Sequence, residues 1–260
     1  MRTGLPALLC FVSLLSIAQM QAPPPPRMVA PSEGDGGVRD TVEGIAIPPI
    51  PNVPFTAMLS TEVTRYGADG SSMTGVNQRR IARDRKGRVY QERWYIVPKG
   101  GKIKSTMNWI QIADPKALTL YNCSTEVHVC ELLVYDPSHG LSAVNAEKGV
   151  SGPLADGQGT VTWEDLGKRE IAGIETVGTR KTTVMNSGTM GNDQPLTYTS
   201  EYWRADKLAI NLLSIRTSPY FGKQTFTISD LSDTDPDPQL FELPAGYKIN
   251  DQRKNPQISH

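Results

Sequence analysis

Histidine and cysteine are scarce in this chain, with three of each among 260 residues. A Ser-His-Asp site or a histidine-rich metal centre therefore has few parts to draw on. There is no G-x-S-x-G, H-E-x-x-H or P-loop pattern. Neither sign of charge is in excess, at 27 basic against 27 acidic residues, which argues against nucleic acid as a partner. No apolar run reaches the roughly 20 residues of a membrane span. Helical periodicity is nearly absent, and so is any internal repeat strong enough for a propeller. No feature calls for a cofactor, and adjacent carboxylates such as Glu164 and Asp165 point to opposite faces of a strand. The expectation is a protein that is not an enzyme.

What is present begins with an export signal. Arg2 supplies the positive charge and LPALLCFVSLLSIA the short apolar stretch. Small residues at Ser16 and Ala18 predict cleavage between Ala18 and Gln19. The mature chain then has no transmembrane segment, and its location is periplasmic or extracellular. Residues 19–53 hold PPPP, EGDGG and IPPIPNVP and read as a disordered leader. Residues 54–250 read as one β domain and residues 251–260 as a fraying tail.

Within 54–250, apolar and polar residues alternate with period two, and turn residues punctuate them. Strands are expected at about 55–66, 73–83, 88–97, 106–113, 117–122, 127–135, 162–171, 174–184, 196–204, 207–217 and 222–231, with a last one near 247–249. Ala172-Gly173 is a two-residue hairpin loop. The fold class is mainly β: a single antiparallel, strongly curved sheet, half-barrel-like, with little helix.

Once Cys10 leaves with the signal, Cys123 and Cys130 remain. A hairpin centred between Glu126 and Val127 sets them opposite each other, so a disulfide is expected. A redox pair usually has the tighter CxxC spacing, and a metal set with His128 lacks a fourth ligand. Asp233, Asp235 and Asp237 alternate as in a calcium loop, but prolines occupy the required Gly and Glu places. Arginines cluster around the second hairpin. They read either as a solvated tip or, through Arg83 and Arg85, as a contact for anionic head groups or an acidic partner.

The ordered set Glu164-Asp165-Leu166-Gly167, Ile171-Ala172-Gly173-Ile174, Gly178-Thr179-Arg180, Gly191-Asn192-Asp193-Gln194-Pro195 and Ser200-Glu201-Tyr202-Trp203 resembles an uncharacterised exported family common in Acidobacteria. Ile112-Ala113-Asp114-Pro115 and the closing Asp237-Pro238, Leu240-Phe241, Pro244 and Tyr247 fit as well. The Cys pair departs from that pattern. More loosely, the chain is similar to half-barrel periplasmic carriers of the LolA type. That resemblance implies a bent sheet cupping an apolar surface, with a lipid or lipoprotein as partner. Trp94, Ile96, Trp109 and Leu133 are the candidate ligand face, or else plain core. The alternative is a structural or interaction module of the cell envelope that meets another envelope protein.

Overall fold

The alternating stretches become strands of one sheet. The computed structural model describes residues 40–41, 45–99, 102–138 and 149–253. In chain order the strands are β1 (Asp40–Thr41), β2 (Phe55–Tyr66), β3 (Ser72–Arg83), β4 (Val89–Lys99), β5 (Lys102–Asp114), β6 (Thr119–Ser124) and β7 (Val129–Val134). They continue with β8 (Gly152–Pro153), β9 (Gly159–Ile171), β10 (Ile174–Met185), β11 (Leu196–Ala205), β12 (Ile210–Ser218), β13 (Gly222–Ser232) and β14 (Lys248–Asp251). The spatial order is β14-β7-β6-β5-β4-β3-β2-β13-β12-β11-β10-β9-β8, with β1 paired to β4. The two ends of this path do not meet, so the sheet is an open, half-barrel-like surface. Every pairing is antiparallel except β14 with β7.

Turn chemistry sets the hairpins. Ala172 and Gly173 both take positive φ, 51° and 77°, as a tight hairpin with matching twist requires. Between β3 and β4, Asp84 Oδ1 accepts the amides of Lys86 and Arg88 at 2.9 and 2.8 Å, and its Oδ2 accepts Arg88 Nε at 2.7 Å. The register of β9 against β10 shifts at Gly178/Thr179. There Gly167 has φ 76°, and its amide donates to Asp165 Oδ1 at 2.7 Å. The Asp165-Leu166-Gly167 run is thus a bulge, with glycine where the left-handed backbone needs it.

One face of the sheet, the inner face, carries the main core. Phe55, Ala57 and Leu59 of β2 stand beside Ile81 of β3 and Phe226 and Ile228 of β13, all buried. Ile210 and Leu212 of β12 extend the row. Each of the larger side chains in this row contributes about 1.5–3 kcal/mol by leaving water. A smaller core lies on the outer face, where Phe241 from the 3-10 turn Pro238–Phe241 packs on Ala82, Tyr90 and Ile112.

The expected leader needs correction. Residues 45–50 lie across the inner face, and the chain returns to solvent at Pro51 and Asn52. Ile45, Ile47, Pro48 and Pro49 are buried, and Ile45 and Ile47 join the main core. Prolines suit a buried crossing because they bring no N–H that needs a partner. The sixth strand starts two residues later than expected, since Ala117 and Leu118 belong to the turn and Leu118 has φ 53°.

Candidate functional site

Strands β4, β5 and β6 bring two rows of side chains onto the inner face. The register aligns Val89 with Ala113 and Ala113 with Leu120, an apolar row. One step along lie Gln91, Gln111 and Asn122, an amide row. Gln111 Nε2 donates to Asn122 Oδ1 at 2.8 Å, which ties that row together. Ile47 arrives from the crossing segment and Tyr135 from beyond β7. With Val89, Gln91, Gln111, Ala113 and Leu120 they line an open cavity of about 160 Å³. Burial, with Asp136 adding a smaller effect, pushes the Tyr135 phenol upward, so it stays neutral in ordinary conditions. The slot is mixed, with Ile47, Val89, Ala113 and Leu120 as its apolar lining and Gln91, Gln111 and Tyr135 as neutral hydrogen-bonding lining, and its lining holds no acid–base pair.

The four residues expected on a ligand face do not share one. Trp109 is the cross-strand partner of Arg93, and Leu133 that of Leu120, so both stand on the inner face. Trp94 Nε1 instead donates to Glu92 Oε2 at 3.2 Å, and Glu92 Oε1 accepts the Tyr90 hydroxyl at 3.2 Å. Tyr90 belongs to the outer-face core, so Trp94 lies on that side. Trp94 follows Arg93, the partner of Trp109, so strand alternation puts the two tryptophans on opposite faces. Ile96 is buried against Gly75, whose missing Cβ leaves room for the isoleucine methyl. Gln91, Gln111, Ile47 and Tyr135 were not foreseen. The signal for the two glutamines was there: each interrupts an apolar alternation at an inward position.

The arginine contact is overturned at Arg83, which is wholly buried. Its Nε donates to Val53 O at 2.8 Å, Nη1 to Pro48 O at 2.7 Å and Nη2 to Leu208 O at 2.6 Å. The guanidinium also lies over the Phe55 ring, 5.1 Å from its centroid. Burial lowers its pKa to about 10, which still leaves it charged at neutral pH. Arg83 is a clamp on the crossing segment and offers nothing to a head group. Arg85 is exposed and pairs with Asp235 at 3.0 Å. The two arginines therefore form no common patch.

Cys123 and Cys130 face each other in register and are joined by a disulfide, with Cα atoms 3.9 Å apart. Both sulfurs are consumed by that bond, which leaves no thiolate of the pair to ligate a metal in this form. His128 sits in the hairpin turn at φ 52°, its ring edge-on to Tyr247 at 5.0 Å. Ala18 and Gln19 lie outside the described residues.

The motif residues from β9 to β11 meet in one outer-face row. Arg180 Nη2 donates to Glu201 Oε2 at 2.9 Å, and Nη1 to Glu164 Oε2 at 3.4 Å. Trp203 Nε1 donates to Glu201 Oε1 at 2.7 Å. Arg169 stacks 3.7 Å over the Trp203 ring, and Gly178 leaves space on the other side of it. Partial burial pushes the Glu201 carboxyl up, but hydrogen bonds from Trp203 and Arg180 outweigh this and hold it below the usual range. The row fastens three strands and assembles no nucleophile.

No protein-family model matches the chain, and no curated protein matches it significantly. The family resemblance read from the sequence rests on its motifs alone. Among solved structures, MucB aligns over 76% of this chain at 13% identity and a TM-score of 0.32. The chain covers only 59% of MucB's own length. LprF from Mycobacterium bovis aligns over 70% of this chain and 89% of its own, at 14% identity and a TM-score of 0.30. The lipoprotein LppX of Mycobacterium tuberculosis aligns over 70% and 88%, at 13% identity and a TM-score of 0.29. Likenesses this distant carry no functional argument.

Proposed function

We propose that this is an exported, non-enzymatic binding protein that takes the end of an acyl chain on the inner face of its open sheet. The chain would belong to a free lipid or to the anchor of a lipoprotein. The observation that carries the reading is the slot between Ile47, Val89, Ala113, Leu120 and Tyr135. Apolar walls favour a hydrocarbon, and the neighbouring amides of Gln91 and Gln111 suit an ester or amide without demanding a charge. At about 160 Å³ the slot is smaller than the 300–1,000 Å³ or so of pockets that swallow a whole drug-sized ligand. By volume alone a benzene-sized guest occupies roughly 150 Å³, so the slot has room for about six carbons at the end of a chain.

The alternative, an envelope interaction module, has less support. Its arginine hairpin is occupied by Arg83's carbonyl contacts. Among the described residues β8 covers β9 only at Val161 and Thr160, so the run 162–171 is the sheet edge such a module would offer.

Native mass spectrometry of protein taken from its own cell envelope tests the proposal. The expected result is an added mass of one lipid, lost on mild activation and absent from Ala113→Phe, which fills the slot. A spectrum of ligand-free protein only, or a lipid adduct unchanged by Ala113→Phe, refutes it.

A further inference from the structure

The end of the sheet remote from the Arg83 clamp gathers exposed aromatic residues and lysines from three separate hairpins. The β2–β3 hairpin ends at Tyr66, paired with Ser72. The β12–β13 turn carries Tyr220 and Phe221, and Lys223 just beyond it pairs with Thr64 of β2, so the two turns are neighbours. The β4–β5 hairpin reaches the same end, where Lys99 pairs with Lys102. Ile103 comes within 3.9 Å of the place a Cβ of Gly75 would occupy, and Ser105 Oγ meets Val76 O at 3.4 Å, which sets that hairpin beside β3.

The apolar groups at this end are unusually bare. Tyr66 is 65% exposed, Tyr220 58% and Phe221 62%. Ile103 is exposed too. Folding gains little from leaving such rings in water, whereas aromatic rings at a bilayer surface bury their apolar bodies at head-group depth. Charge selects the kind of surface. Lys102 and Lys104 flank Ile103, and all three are exposed. Lys223 is exposed beside the aromatic turn. Among the described residues no carboxylate pairs with these three lysines. Two acids lie near: Glu62 on β2, and Asp69, whose Oδ1 accepts the Ser71 amide within its own turn.

We infer that this end of the sheet docks on an anionic lipid bilayer, with Tyr66, Tyr220 and Phe221 entering the head-group layer and the lysines facing lipid phosphates. Insertion of rings together with attraction of lysines gives a contact that is reversible and weakened by salt. The inference is independent of the slot between Ile47 and Tyr135, which lies toward the other end of β4 and β5.

The test is flotation of the protein recovered after expression and export of the full chain, its N-terminus established by mass. The probes are vesicles of equimolar phosphatidylglycerol and phosphatidylcholine, against phosphatidylcholine alone. The expected result is binding to the mixed vesicles, weakened by salt, with little on the neutral ones. Tyr220→Ser/Phe221→Ser and, separately, Lys102→Glu/Lys104→Glu should each weaken it about tenfold with unchanged thermal melting. Absence of binding, equal binding to neutral vesicles, or binding that both variants retain would each overturn the inference, the last placing the contact elsewhere on the chain. A dimer in sedimentation that Tyr220→Ser/Phe221→Ser dissolves, with no vesicle binding, would reassign the surface to a second copy.

Discussion

Replacing Arg83 by methionine should loosen the segment that carries Ile45 and Ile47 from the sheet. The guanidinium serves three carbonyls at once: Pro48 and Val53 on the crossing segment, and Leu208 in the β11–β12 turn. Methionine matches much of the stem but donates nothing. Each buried acceptor left without a donor costs about 1–3 kcal/mol. Removing the buried charge returns part of its desolvation cost, so the three losses do not simply add. Breaking one side of such a buried charged network costs about 3–5 kcal/mol. That is a large share of the roughly 5–15 kcal/mol that holds a domain folded. Urea unfolding measures the loss. The m-value should fall as well, because a native state with a loosened segment already exposes Ile45 and Ile47. Amide exchange at Asn52, whose N–H donates to Arg85 O at 2.9 Å, should speed up ahead of the β2 amides. Arg83→Lys should fall between, since one ammonium cannot reach three carbonyls from a single point. A loss under about 1 kcal/mol for Arg83→Met, with m and Asn52 exchange unchanged, would refute the clamp.

Other outcomes follow from the same geometry. Cys123→Ala/Cys130→Ala should cost about 2.5 kcal/mol, the loop-closure entropy for a separation of seven residues, read in the same urea experiment. Glu201→Gln should cost about 1–2 kcal/mol at neutral pH by weakening the bonds to Trp203 and Arg180. Because the folded carboxyl titrates below its ordinary value of 4.5, Glu201 contributes fully above that pH and its contribution disappears as the pH falls through the folded value. The variant's stability should therefore decline less steeply in acid. Gly178→Ala should cost about 1–3 kcal/mol by overpacking, since the new Cβ meets the Trp203 ring at 2.6 Å and Leu166 Cβ at 2.9 Å, and thermal melting checks it.

Local rules accounted for most of the sheet. Period-two alternation located β2 and β3, and Ala172-Gly173 announced its hairpin, because both signals act between near neighbours in sequence. The Cys123–Cys130 pairing was legible for the same reason. The misses are long-range. Nothing local to Ile47 tells a reader that a proline-rich stretch will be buried, because the arginine that holds the stretch reaches Pro48 O from 35 positions away. An arginine at an inward strand position reads as solvated unless the carbonyls that receive it are known. Bulk alone groups Trp94 with Trp109; Trp94 alternates with Arg93, the partner of Trp109, and which residues of β4 and β5 pair leaves no mark in composition. β14 escaped as a parallel partner of β7 because that pairing depends on where the intervening sheet delivers the C-terminal segment. The slot went unread: Gln91 and Gln111 left only the faint mark of polar residues at inward positions, and Tyr135 and Ile47 reach it only through tertiary placement.

The pairing of β2 with β13 has a consequence in time. From β2 to β7, and again from β9 to β13, each long strand pairs with the next in the chain, so both runs can form from neighbours. The seam between them joins Thr61 to Phe226 and Leu59 to Ile228. Arg83 bridges the same seam when it reaches Leu208 O, 125 residues away. Closing so wide a loop is slow relative to hairpin formation. Hydrophobic residues of β2 such as Phe55 and Leu59 must wait for β13 before they are covered. A chain crossing a membrane from its N-terminus would emerge with that row unprotected until nearly its last residues arrived, a window in which a holding chaperone matters most.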